Sequence, residues 1–142
     1  GGVICDESSA IKAFDGQHQA EILPGGIVKV RMNDVKKITL QGDAFIINTG
    51  SPHFVKFVTE LSTFPVFEEG KKIRYSETFK PGGINANFVE LLPGNTIAVR
   101  TYERGVENET LSCGTGVTAA ALAAHFKNYR SPVSIKTQGG ER

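Results

Sequence analysis

The residues best equipped for chemistry sit in one short run, Ser112-Cys113-Gly114-Thr115-Gly116, immediately before an alanine-rich stretch of strong helix propensity. A helix N-terminus presents N–H groups that lack intrahelical partners and carries about half a positive charge. Gly114 and Gly116 remove side chains there, so an anion of carboxylate size can reach those N–H groups. A thiol at that place, Cys113, is biased toward thiolate, below the free value of about 8.5. One segment thus offers a reactive sulfur beside an anion site. The same run also reads as a buried free cysteine in a tight turn.

Three further segments carry groups that could serve such a thiol. Tyr102-Glu103-Arg104-Gly105 closes a strand. Neighbouring strand residues point to opposite faces, so Glu103 and Arg104 share a direction only if the chain turns, which Gly105 permits. A surface ion pair is the plainer reading. Gly50-Ser51-Pro52-His53 lies between two strands and brings out a histidine suited to acid–base work near neutral pH, or simply an exposed turn histidine. Asn85 and Asn87 share one face of a strand. Asn is disfavoured in strands, so amides buried there need partners, a ligand among them.

The elements that must hold these groups are mostly short strands. Ala10–Phe14, Gln17–Leu23, Ile27–Asn33, Ala44–Thr49, Phe54–Thr59, Asn85–Leu92, Thr96–Glu103 and Val133–Thr137 are the candidates, separated by Gly-, Pro- and Asn-rich turns. Val28, Val30 and Met32 alternate with Lys29 and Arg31, the period of a half-buried strand. Two segments read as helices. Phe64–Arg74 is interrupted by Gly70, which costs about 1 kcal/mol against Ala. Gly116–Tyr129 is rich in alanine, apolar nearly all round, and stopped by Pro132, so it should be central and buried. The expectation is one α+β domain over residues 1–142, a strongly curved antiparallel sheet wrapped around one buried helix.

Composition narrows the function classes. With 142 residues, 39% hydrophobic and 22% charged, the chain is that of an ordinary globular domain. Sixteen Lys and Arg against 15 Asp and Glu leave a formal +1 without a basic run, which argues against a nucleic-acid partner. The longest apolar stretches fall far short of a bilayer span and no signal pattern opens the chain, so a cytoplasmic protein away from membranes is expected. Two cysteines, Cys5 and Cys113, do not make a disulfide framework, and with three histidines they lack metal-ligand spacing; no metal site is expected. Sixteen glycines exceed the average of roughly 7% and fit many turns or close backbone approaches to a ligand.

Gly-x-Pro-His at 50–53, Asn-x-x-Phe at 85–88, Tyr-Glu-Arg-Gly at 102–105 and Glu109-Thr110-Leu111-Ser112-Cys113-Gly114-Thr115-Gly116 follow one another in the order and with the gaps of diaminopimelate epimerase. The early Phe14-Asp15-Gly16 and Gln17–Ala20 are similar to the start of that family's second domain. The resemblance covers almost the whole chain, and Glu-Arg-Gly with Cys-Gly-Thr-Gly is its most specific part; proline racemases share only the latter type of motif.

The resemblance implies a cofactor-free enzyme of lysine and cell-wall precursor synthesis that interconverts LL- and meso-diaminopimelate at one α-carbon. It implies two similar domains, each a barrel-like curved sheet around a central helix, with one thiol from each. One thiolate removes the α-proton and the other thiol delivers a proton to the opposite face. No cofactor supplies an electron sink, so N–H dipoles around the α-carboxylate must stabilise the developing charge. On this sequence the resemblance makes Cys113 one of the two acid/base thiols and assigns the N–H groups of Gly114 and Thr115 to the substrate carboxylate. Glu103 is matched to a residue that tunes Cys113 toward the neutral thiol and contacts substrate, and His53 to one that tunes the other thiol. Asn85 and Arg104 match substrate-binding positions, where Arg can fork onto the distal carboxylate.

The sequence departs from that family at three points. Cys5 has neither the glycines nor the helix of the family's other cysteine motif and reads as structural. Ser51 stands where the family usually has a substrate-binding Asn. The chain opens with Gly1-Gly2-Val3 and stops at Gln138-Gly139-Gly140-Glu141-Arg142, where the family continues through further strands, so a C-terminal domain shortened at both ends is expected. Its partners would be the small-molecule substrate and the missing N-terminal domain carrying the second cysteine, with a homodimer among the assemblies allowed; alone, the chain should not turn over. The alternatives are a related racemase of the proline racemase kind, a degenerate non-catalytic binding domain, or a thiol nucleophile pairing Cys113 with His53.

Overall fold

The computed structural model describes residues 8–13, 16–26, 28–32 and 34–141. Cys5 and the ends of the first and third expected strands, Phe14 and Asn33, lie outside them. The chain divides into two compact units at Asp34 and Val35. In the first, β1 (Ser8–Ala13), β2 (Gly16–Ile22) and β3 (Val28–Val30) form an antiparallel sheet in that order. The hairpin register pairs Ser8 with Glu21 and Ala13 with Gly16. Val30 is 41% exposed, so the alternation in β3 does not mark a buried face there.

The second unit carries the site. Its strands are β4 (Ile38–Gln41), β5 (Ala44–Asn48), β6 (Pro52–Phe57), β7 (Asn85–Leu92), β8 (Thr96–Glu103), β9 (Asn108–Thr110), β10 (Ser134–Thr137) and β11 (Gly140–Glu141). Helix α1 (Val66–Arg74) follows β6, and α2 (Gly114–His125) follows β9. The sheet runs β11-β10-β8-β7-β6-β5-β4, with β9 also paired to β8. The α+β class and the central alanine-rich helix stand as expected, with corrections to the sheet. It is mixed rather than antiparallel, because β6 pairs with β7 and β8 with β10 in parallel. Each parallel pair is joined by a crossover long enough to hold a helix, which parallel pairing requires. The sheet order is an open path, so the barrel-like description gives way to an open sheet.

Strand alternation sorts the core into two layers. Phe45, Ile47, Val55, Val89, Ile97 and Val99 pack with Ala119, Ala120, Ala123 and Ala124 of α2. On the other face Ala86, Phe88 and Tyr102 pack with Val66 of α1 and with Leu61. β7 therefore lies between two helices, and Asn85 to Val89 are all buried. The buried stripe of α2 is Gly116, Ala119, Ala120, Ala123 and Ala124, a helical i, i+3, i+4 spacing made only of small residues. Small side chains let the helix axis lie close on the sheet. Gly70, in the middle of α1, has a similar cause: a Cβ there would collide with Cβ of Tyr102. No helix among the described residues is long and apolar enough to cross a membrane.

Candidate active site

One end of the α2 face of the sheet is polar instead of apolar. The odd-numbered positions that place Ile47, Val55, Val89 and Val99 against α2 continue into Thr49, His53, Asn87 and Thr101. Thr49 is 1% exposed, His53 0%, Asn87 0%, Thr101 3% and the neighbouring Asn85 4%. Buried polar groups demand partners, and these find them in one another and at the start of α2. The parallel register sets His53 opposite Asn85, and the antiparallel register sets Asn87 opposite Thr101.

Cys113 is the N-cap of α2, in extended backbone (φ −127°, ψ 114°), with no side chain capping the helix. The first intrahelical bond closes from Val117 N–H to the Cys113 carbonyl at 2.9 Å. The N–H groups of Gly114, Thr115 and Gly116 therefore have no acceptor inside the helix. A Cβ on Gly114 would have nothing within 4 Å. Gly116 has a different reason from the anion access expected of it: a Cβ there would stand 2.5 Å from Asn87 Oδ1 and 3.3 Å from His53 Cε1. It is glycine so that the helix start can seat on the buried amide and imidazole.

Thr115 joins the thiol to that polar layer. Its Oγ1 lies 3.6 Å from Cys113 Sγ, 2.8 Å from His53 Nε2 and 3.1 Å from Ser51 Oγ, and its carbonyl accepts from Thr49 Oγ1 at 2.7 Å. Ser51 Oγ is also 3.1 Å from His53 Nε2. Burial, with the Arg104 charge adding to it, lowers the His53 imidazole from 6.5 to about 4, so it is uncharged at neutral pH. His53 is thus a buried residue rather than an exposed turn histidine. It reaches the thiol through the Thr115 hydroxyl, which is not the direct contact that a nucleophilic Cys113–His53 pair needs.

Asn85 Nδ2 donates to the Pro52 carbonyl at 3.0 Å and to Ser51 Oγ at 3.3 Å, while its Oδ1 accepts from Arg104 N–H at 2.8 Å. That bond turns the chain just past β8, and Gly105 follows at φ +93°. Arg104 Nη1 donates to the Gly82 carbonyl at 3.2 Å. Alternation puts Glu103 on the Thr101 face of β8, and its carboxylate has no hydrogen-bond partner among the described residues. The arrangement unites Cys113, Thr115, His53, Ser51, Asn85 and the Arg104 backbone. It also recruits Thr49 and Thr101, which no local pattern singled out; their only sequence signal is a polar residue continuing an apolar alternation.

Fold and site together define a thiol-bearing α+β domain, its cysteine at a helix N-terminus tied through a hydroxyl to a buried neutral histidine. The family described as "Diaminopimelate epimerase" matches residues 45–142. A "Diaminopimelate epimerase" of Flavobacterium psychrophilum is 45% identical over 131 residues, covering 91% of this chain and 51% of the relative. One from Aquifex aeolicus is 43% identical over 137 residues, covering 89% and 49%. One from a Hydrogenobaculum species is 36% identical over 151 residues, covering 97% and 54%. The chain spans about half the length of these curated relatives. It belongs to the diaminopimelate epimerase family.

Proposed function

We propose that this chain supplies one half of a cofactor-independent epimerase that interconverts LL- and meso-diaminopimelate in the cytoplasm. The observation that carries this reading is the free Cys113 thiol at the N-terminus of α2, beside helix N–H groups that lack intrahelical acceptors. The N–H groups of Gly114 and Thr115 bind the α-carboxylate, where negative charge builds as the α-proton leaves. Cys113 moves a proton at one face of the α-carbon: as thiolate it takes the α-hydrogen, as thiol it returns one. The second thiol comes from a domain that precedes this one and serves the opposite face. Glu103, whose carboxylate has no hydrogen-bond partner among the described residues, is free to act on Cys113 and the substrate, and His53 tunes the second thiol. The Arg104 side chain, whose only bond among the described residues is one donor to Gly82, has donors left to fork onto the distal carboxylate.

The test is isotope exchange by the full-length protein in heavy water, with diaminopimelate and, separately, with proline. Mass spectrometry should find deuterium at the α-carbon of diaminopimelate and none in proline, and chiral chromatography should find interconversion of the two isomers abolished in Cys113→Ala. Exchange into proline would move the protein to the racemase branch, and interconversion surviving Cys113→Ala would remove the thiol from the mechanism.

A further inference from the structure

Asn87 is fully buried, and nothing in the reading above gives it a task. Its amide nevertheless decides how the imidazole beside it can bond. Nδ2 lies 3.0 Å from the Phe54 carbonyl oxygen. A carbonyl only accepts, so the atom facing it is the NH2 group and the amide's orientation follows. The same NH2 donates to His53 Nδ1 at 2.9 Å. Nδ1 therefore bears no hydrogen, and the neutral ring carries its hydrogen on Nε2. Asn87 Oδ1 accepts from Thr101 Oγ1 at 2.8 Å, which locks the amide from its other end.

The hydrogens then run in one direction. Nε2–H donates to the nearer hydroxyl, Thr115 Oγ1 at 2.8 Å, rather than to Ser51 Oγ at 3.1 Å. Ser51 Oγ accepts from Asn85 Nδ2 at 3.3 Å, and its own hydrogen finds Thr115 Oγ1 at 3.1 Å. With both acceptor positions of Thr115 Oγ1 filled, its hydrogen is left for Cys113 Sγ at 3.6 Å. Were Thr115 to donate to Ser51 instead, the Ser51 hydrogen would have no acceptor in the cluster.

We propose that Asn87 is a positioning residue for the Cys113 thiol: by holding His53 as the neutral Nε2–H tautomer, it turns the Thr115 hydroxyl hydrogen onto the sulfur. A hydrogen bond donated to sulfur stabilises the half of the proton-transfer cycle in which Cys113 is thiolate. The proposal rests on the reading of Cys113 as an acid/base thiol. It assigns the direction of the bonds to a residue that touches neither sulfur nor substrate.

The experiment uses the full-length protein labelled with 15N-histidine at neutral pH. Long-range proton–nitrogen correlation should show His53 with its hydrogen on Nε2 and a bare Nδ1; the reverse pattern overturns the proposal. Asn87→Asp replaces the NH2 donor with an acceptor and should move the ring hydrogen to Nδ1, so that Thr115 donates to Nε2 and the sulfur loses its hydrogen. Where the spectrum shows the new carboxylate holding the ring doubly protonated, Nε2–H stays in place and the Thr115 variants below decide. With the ring hydrogen moved to Nδ1, alkylation of Cys113 by iodoacetamide, resolved by mass spectrometry at fixed pH, should slow about tenfold, and kcat should fall about ten- to a hundredfold with KM within about twofold. A moved hydrogen with unchanged alkylation and kcat overturns the proposal. If Asn87→Asp does not fold, Thr115→Ser and Thr115→Val read the same path. Ser should keep the wild-type alkylation rate and Val should lose about tenfold; equal rates in the two overturn the proposal. Spectrum and alkylation need no turnover, so both expected results in a protein that exchanges no α-deuterium would support the positioning role and overturn the epimerase reading.

Discussion

Protonating His53 means charging a ring that is 0% exposed and faces the Arg104 charge. Its folded value, about 4, lies below the ordinary 6.5, so between those pH values the unfolded chain binds the proton and the folded chain does not. Stability contributed by the neutral ring is full above about pH 6.5 and declines as pH falls toward 4; the difference is on the order of 3 kcal/mol. Urea titrations from pH 7.5 to 4.5 should show that decline, and His53→Gln should flatten it. A wild-type midpoint independent of pH across this window would mean that His53 charges without cost. Part of the polar cluster was legible at this scale, because the Cys113-to-Gly116 run and the paired amides Asn85 and Asn87 stand out by type and spacing. The parts of Ser51, Thr115 and Arg104 come only from the family resemblance, and His53 by itself reads as an exposed turn histidine. The reason for Gly116 was not legible, since it lies in Asn87 and His53, residues brought beneath it from 29 or more positions away. Nor was the direction of the hydrogen bonds, which depends on a carbonyl, Phe54, whose side chain says nothing about it.

Helix α1 shows how tertiary contact overrides local preference. On propensity alone Gly70→Ala would stabilise a helix by about 1 kcal/mol. Here the added methyl collides with Tyr102, a 1% exposed side chain in the layer shared by α1, β7 and β8. Overpacking of this kind costs about 1–3 kcal/mol, so the substitution should lower the thermal midpoint; calorimetry showing an increase would mean that α1 lifts off β8 without loss. The same contact explains why Gly70 weakened the helix signal without removing the helix. Strands β7 and β8 could be read to the residue, because the Pro93-Gly94-Asn95 turn between them is strong. β9 was missed: three polar residues, Asn108-Glu109-Thr110, carry no alternation and are strand only through pairing with β8. Arg100 anchors that pairing, gripping Glu109 at 2.6 and 2.8 Å. The parallel pairs were invisible for a related reason, since a strand's own sequence does not name its neighbour. Helix α2 begins at Gly114, two residues before the expected Gly116, and ends at His125 instead of Tyr129. Asn128, in left-handed backbone at φ +66°, marks the turn that stops it short.

On the proposed function, one acid/base thiol and one carboxylate-binding helix end make half a reaction path for the molecule as a whole. Incubated alone with either isomer of diaminopimelate, the chain should give no epimer by chiral chromatography, whereas the full-length protein should equilibrate the two; turnover by the chain alone would show that a second thiol is not required. The site is also built from parts far apart in the sequence: Thr115 meets His53 and Thr49 across 62 and 66 positions. That separation has a consequence in time. On a ribosome adding about 5–20 residues per second, the 62 positions between His53 and Thr115 take about 3–12 s to synthesise. Through that interval the histidine is part of a nascent chain whose helix does not yet exist, and it has the basicity of any solvated imidazole. Its lowered basicity is acquired only when translation has delivered the segment that packs against it.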